Sequence, residues 1–273
     1  GFKLTENQCK TSQYMCENNI VLLVGYGGSG KSSSTQAFVN MLNAYNKRHL
    51  LLAPTGRAAK VLSGFTNENA MTIHRGLMYM PPADWGFNED NKLPYDVVIV
   101  DEFSMVDIFL FRKLLEAIDF EKTKLLLIGD DAQIPSVGAG NVLYDLLKCE
   151  DIPTITLDKV FRYGKGGLST VATDTRTGTE YLDKTKTGMQ VFGEDQSYIF
   201  MPILQDKLVG YTVKLYQTLL SKGYSVDDIA VLSCYNVGDY GTVALNKKIQ
   251  NAVNSNPKAK ITFGDTEFRL NDI

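Results

Sequence analysis

The chain has 273 residues, with 28 Lys+Arg against 31 Asp+Glu for a formal charge of -3, and 44% apolar against 22% charged residues. At roughly 150 residues per domain this length suits about two domains with cores of their own, and the composition excludes disorder, collagen and a small disulfide scaffold. Neither half carries a basic tail or block, which taken alone argues against a nucleic-acid partner.

In chain order, the apolar run Ile20 to Val24 reads as a buried strand, and Ser32 to Tyr45 has apolar residues at helical spacing. Leu50 to Ala53 and Val97 to Val100 repeat the buried-strand pattern, Ile108 to Ile118 the helical one, and Leu125 to Ile128 is a further strand. This alternation predicts an α/β fold in which helices flank a parallel sheet. Tyr163 to Gly167 interrupts the pattern, and the polar stretch Thr173 to Gln196 reads as a connection or mobile region. A helix over about Asp206 to Ser221, a strand over Ile229 to Ser233 and a helix over Gly241 to Asn254 then predict the start of a second α/β unit.

The longest apolar runs fall far short of the roughly 20 residues needed to span a bilayer, so no membrane partner is expected. Cys9, Cys16, Cys149 and Cys234 lack any C-x-x-C pairing, and His49 and His74 do not cluster with them. Reduced structural thiols in a cytoplasmic protein are the expectation. The chain begins at Gly1 rather than Met, which reads as a trimmed or interior fragment.

Gly25-Tyr26-Gly27-Gly28-Ser29-Gly30-Lys31-Ser32 fits G-x-x-x-x-G-K-[ST] between a strand and a helix, the context this phosphate-binding motif requires. Its glycines let backbone N–H groups and a helix N-terminus face an anion, while Lys31 reaches the β and γ phosphates and Ser32 ligates magnesium. The expected nucleotide cradle is Gly27, Gly28, Ser29, Gly30, Lys31, Ser32 and Ser33. Asp101 and Glu102 end the next-to-last buried strand of the first half. Adjacent carboxylates there divide the labour, Asp101 holding Mg2+ and Glu102 orienting or deprotonating the attacking water, which points to nucleotide hydrolysis. The strand over 125–128 runs into Gly129 to Gly138, placing Gln133 where it could meet the γ-phosphate.

Together these motifs resemble superfamily-one helicases of branch B, the RecD-like group that includes the exodeoxyribonuclease V alpha subunits. Leu4 to Gln8 resembles that family's adenine-reading motif, with Gln8 as reader; Leu52 to Ala59 and Met71 to His74 resemble the segments that line the single-strand path; Gly129 to Val137 resembles the third motif. Val160-Phe161-Arg162-Tyr163 is similar to the fourth, whose arginine touches the γ-phosphate, although relatives usually carry Gln where Tyr163 stands. A planar, permanently charged fork suits such a role at Arg162. Residues 231–236, 241–242 and 245–250 resemble the opening of a second motor domain.

The resemblance implies a RecA-like motor over residues 1–163 and a connection with an incomplete second motor over 164–273. It implies ATP and Mg2+ as cofactors, with Lys31, Glu102, Gln133 and Arg162 as catalytic residues. Single-stranded DNA would run over Pro54, Thr55, Arg57, His74, Ser136 and Val137, with movement from 5′ to 3′. Any nuclease or other repair activity would belong to partner subunits, and the chain alone would turn over ATP poorly. An RNA helicase, or a P-loop ATPase or nucleotide-binding module that does not act on nucleic acid, are the alternative readings. If the partner is nucleic acid, the net charge is a weak guide, because a translocase grips its strand with few local contacts and releases it each cycle.

Overall fold

The structure is a computed structural model that describes residues 6–157, 166–264 and 266–272, with side chains described from Cys9 onward. The chain divides into two compact units, residues 1–181 with 193–195, and residues 182–192 with 196–273.

The first unit begins with helix α1 (Glu6–Glu17), strand β1 (Ile20–Gly25) and helix α2 (Lys31–Ala44). Strand β2 (His49–Ala53), helix α3 (Gly56–Thr66), strand β3 (Ala70–Thr72) and the short helix α4 (Ile73–Gly76) follow. A small hairpin, β4 (Tyr79–Met80) with β5 (Asp84–Trp85), leads to β6 (Val97–Val100), helix α5 (Ile108–Glu116) and β7 (Lys124–Gly129). Helix α6 (Val142–Leu146), strand β8 (Thr154–Leu157) and helix α7 (Gly167–Thr177) complete it.

Six of these strands form one sheet in the order β3-β2-β6-β7-β1-β8, every pairing parallel. The expected runs at 20–24, 50–53, 97–100 and 125–128 are its four central strands, apolar on both faces because helices cover both. Two buried clusters confirm the two covered faces, one with Leu22, Val98, Leu127 and Phe103, the other with Leu23, Ile99, Leu126 and Phe38. This is a P-loop RecA-like α/β fold. Since all strands run the same way, the loops after β1, β2, β3, β6 and β7 share one edge of the sheet, where ligands bind in open α/β sheets.

Two expectations change here. The stretch read as a connection from Thr173 begins inside α7, which belongs to the first compact unit. Its Thr- and Asp-rich sequence hides a helix held by tertiary partners of Arg176. The four cysteines are free but exposed, so they are not packing residues of the core.

The second unit carries a hairpin of β9 (Gln190–Phe192) and β10 (Tyr198–Phe200), helix α8 (Gln205–Ser221), helix α9 (Thr242–Val253), and a hairpin of β11 (Lys260–Phe263) and β12 (Thr266–Arg269). Both expected helices are present. The expected strand over 229–233 is not: that segment has no regular structure, and its Leu232 is 91% exposed. A parallel strand needs a neighbour to take its backbone hydrogen bonds, and no described strand offers one there.

Candidate nucleotide-binding site

The loop after β1 is shaped by its glycines. Gly28 and Gly30 have φ of 83° and 94°, the left-handed region that other residues enter at a cost. At Gly25 a Cβ would lie 2.6 Å from Ser29 Oγ and 2.7 Å from the Leu157 carbonyl oxygen, so the loop packs against β8 too tightly for a side chain. Gly27 has open space around it. Gly30 then caps α2 with no side-chain acceptor of its own, leaving the N–H groups of the first turn and the positive end of the helix dipole facing the loop. Ser32 is half-buried and Ser33 exposed in that turn. Ser29 Oγ is buried without a hydrogen-bond partner among the described residues.

Lys31 curls back onto its own loop, donating from Nζ to the carbonyl oxygens of Gly25 at 2.6 Å and Tyr26 at 3.0 Å. Burial pulls its pKa below the ordinary lysine value, against the attraction of Asp130, Glu102 and Asp101, and nearby Arg176 adds to the depression. These three acidic residues follow β6 and β7. Val24 of β1 pairs with Gly129 of β7, so Asp130 stands beside Gly25.

Asp101 accepts a hydrogen bond from the Glu102 backbone N–H at 2.9 Å. Desolvation pushes its carboxyl up to about 6; the Glu102 N–H opposes this rise, the Glu102 charge adds to it, and Lys31 opposes it. Glu102 sits at φ 52°, a strained conformation for a residue with a Cβ. Its Oε2 is buried with no hydrogen-bond partner among the described residues. A buried, unpaired carboxylate oxygen is costly to leave unused, and it marks Glu102 as a group poised for a ligand or a water.

The remaining expected residues fare differently. Gln133 lies in the loop after β7 and is exposed, its N–H bonding the Asp130 carbonyl at 3.2 Å. Gln8 lies in α1, with its side chain outside the described residues, and Arg162 lies outside them altogether. Pro54 and Thr55 follow β2. The Thr55 hydroxyl accepts from the Ala58 N–H at 3.2 Å and so caps α3, in which Arg57 is exposed on the first turn. His74 on α4 is exposed and stacks on Trp85 at 5.6 Å with Tyr79 edge-on at 5.5 Å. Ser136 donates to the Gly138 and Gly140 carbonyls, and Val137 is fully exposed. The sheet thus brings the loops carrying 54–57, 72–74, 101–102 and 130–137 to the edge occupied by the phosphate loop.

Two features escape sequence reasoning. Tyr79 and Trp85, on the small hairpin, make His74 part of an aromatic cluster; the one tryptophan of the chain was the available signal. Arg176 had no local signal. From α7 it donates to Asp130 at 2.5 Å and Asp131 at 2.6 Å, while its guanidinium lies 3.9 Å from the ring centroid of Tyr26 in the phosphate loop. Among the described residues no cluster of three or more His, Cys, Asp or Glu side chains could hold a metal ion, and no helix is long and apolar enough to cross a membrane.

The fold and this loop define a P-loop nucleotide-binding protein. Residues 3–191 match an AAA domain family, and the chain belongs to that family. Among curated proteins it is similar to the ATP-dependent RecD2 DNA helicase of Deinococcus radiodurans, 37% identical over 159 residues that make up 58% of this chain and 22% of that protein. It is also similar to the RecD subunit of the RecBCD enzyme from Mycobacterium tuberculosis, 27% identical over 281 residues that cover 90% of this chain and 48% of the relative. The resemblance to RecD-type helicases carried by the motifs therefore extends along most of the chain, which spans half or less of the length of these two relatives. The structure of the Pif1 helicase from Candida albicans aligns over 68% of this chain and 46% of its own, with 22% identity and a TM-score of 0.49.

Proposed function

We propose that this chain is the ATP-binding and ATP-hydrolysing motor part of a DNA helicase that moves on single-stranded DNA. The observation that carries the reading is the convergence of Lys31, Asp101 and Glu102 at one sheet edge, with Lys31 feeling both carboxylates and Glu102 holding an unpaired buried oxygen. Similarity to a DNA helicase and to a subunit of a RecBCD enzyme supports DNA as the track.

In this reading Lys31 leaves the Gly25 and Tyr26 carbonyls to meet the β and γ phosphates, and the N-terminus of α2 faces the same charge. The donor set fits Mg2+, which takes one or two carboxylates with phosphate oxygens and water, and Ser32 and Asp101 are the residues that would hold it. When bound, Mg2+ would offset the phosphate charge. Glu102 orients the attacking water and takes its proton, Gln133 responds to the γ-phosphate, and Arg162 stabilises charge spreading on the transferred group. Pro54, Thr55, Arg57, His74, Ser136 and Val137 form the strand-facing loops, and movement runs from 5′ to 3′.

The test is ATPase activity of the gene product that contains this chain, measured with DNA and RNA oligonucleotides of equal length. Stimulation by single-stranded DNA, lost in Lys31→Ala, is the expected result. Stimulation by RNA alone would reassign the track, and turnover indifferent to both would make the protein a P-loop ATPase without a nucleic-acid partner.

A further inference from the structure

The nucleotide site contains a cation whose role the motifs do not assign. Arg176 reaches the phosphate-loop side of the sheet edge from α7 and touches two elements at once. Its Nη1 bonds Asp130 Oδ1, its Nη2 bonds Asp131 Oδ1, and its flat face covers the Tyr26 ring. The pairing is unequal in burial. The Asp130 side chain is 5% exposed, whereas that of Asp131 is 45% exposed. A buried carboxylate must find a cation, and removing its partner leaves a strong local field behind.

Lys31 is a second cation, among the described residues, that feels that field. Its Nζ holds the Gly25 carbonyl, and Gly25 follows Val24, whose partner in β7 is Gly129, the residue before Asp130; the Asp130 charge attracts Lys31 from there, as do Glu102 and Asp101. The Asp130 carboxylate is therefore a rival of the nucleotide phosphates for Lys31. Arg176 answers the rival: a planar fork fixed by two carboxylates and by an aromatic face is held in place where a flexible ammonium would not be.

We propose that Arg176 is a positioning residue of the nucleotide site, which engages Asp130 so that this carboxylate does not compete with the phosphates for Lys31, and which is itself held in place by Asp131 and the Tyr26 ring. The inference rests on reading the phosphate loop as the nucleotide site. It also explains why an aromatic residue is useful at the second position of this loop, where neither the turn nor a phosphate calls for one.

The test is equilibrium binding of a fluorescent ATP analogue, without Mg2+ and without turnover, to the full protein and its variants. Arg176→Ala weakens binding by about tenfold or more, the scale of one displaced charge-assisted hydrogen bond. Adding Asp130→Asn to it restores binding to within about threefold of the parent, because the rival for Lys31 is gone. Thermal melting is measured alongside, since repair of the fold alone would raise the melting temperature without changing the affinity of the folded fraction. Tyr26→Phe keeps the stacking face and the affinity, while Tyr26→Ala loses part of it. Unchanged binding in Arg176→Ala, or a double variant as weak as the single, overturns the proposal. If Arg176→Ala does not fold, Asp130→Asn alone decides: equal or tighter binding supports the rivalry, and a loss beyond about threefold overturns it. Failure of the parent protein to bind the analogue would instead count against the nucleotide reading itself.

Discussion

The two compact units are built from similar raw material and use it differently. In the first, four apolar runs lie side by side and are covered on both faces, so that Leu22, Leu51, Ile99 and Leu126 are almost wholly removed from water. In the second, the buried apolar side chains among the described residues are Tyr216, Leu245 and Ile249, while Leu232, Ile261 and Phe263 stay largely in water. Burial of apolar surface is the main favourable term in folding, so the first unit has the means to hold a strained residue such as Glu102 together with a buried, unpaired carboxylate oxygen. It is in the first unit that the nucleotide loop and the acidic strand ends are found.

The largest expected effect tests whether chemistry is confined to the first unit. Lys31→Ala should lower ATP turnover by at least about a hundredfold, as loss of a charged group facing a transferring phosphoryl commonly does. Steady-state phosphate release measures it, and near-normal turnover would break the assignment of the site. Next comes the core. Leu126→Ala, in a strand flanked by β6 and β1, should destabilise the protein by about 2–5 kcal/mol in denaturant unfolding, whereas Leu232→Ala should stay within about 0.5 kcal/mol. Equal costs at the two positions would remove the contrast between the units.

The same contrast explains what could be read from the sequence. Leu125 to Ile128 and Ile229 to Ser233 look alike as apolar runs, yet only the first is a strand. The first lies between two partners, and a strand exists only when its backbone groups are taken up by neighbours that the local sequence does not name. Strand β8 went unread for the converse reason: its four residues alternate in burial at the sheet edge and carry two threonines, a weak signal. At the candidate site, the placement of Lys31, Asp101 and Glu102 at one sheet edge was legible because phosphate and water chemistry demands fixed residue types beside fixed elements. Arg176 was not, since its partners lie 45 and 46 residues away and are joined to it only by the fold.

Asp101 offers a test of the strain that the first unit supports. Its carboxyl is raised to about 6 in the folded protein from 3.8, so ionisation is disfavoured on folding. That cost is absent below about pH 4, grows as pH rises toward 6, and is complete above it. Asp101→Asn keeps an acceptor for the Glu102 N–H and removes the charge. It should therefore stabilise the nucleotide-free protein at pH 7.5 by up to about 3 kcal/mol and by little at pH 4, while abolishing Mg2+-dependent turnover. A gain of equal size at both pH values would show that the carboxyl is not desolvated in the way described.

The smallest effects concern helix ends. In the first unit α3, α4 and α5 are capped by the side chains of Thr55, Thr72 and Asp107, each accepting from a backbone N–H of the first turn. In the second unit α8 begins after Leu204 and α9 after Gly241, neither with a side-chain cap. Thr55→Ala should cost about 1 kcal/mol, and Leu204→Asp, at an exposed position with extended backbone, should return a gain of similar size by supplying the side-chain acceptor that the first turn lacks and complementing the helix dipole. Thermal melting of both variants measures the pair. The Thr55 variant carries a second consequence for the proposed DNA track: its hydroxyl already serves the α3 N-terminus, so a loss of single-stranded DNA affinity in Thr55→Ala much larger than that in Thr55→Ser would mean that the cap orders the loop proposed to face the strand. Equal losses would assign the threonine methyl to the strand instead.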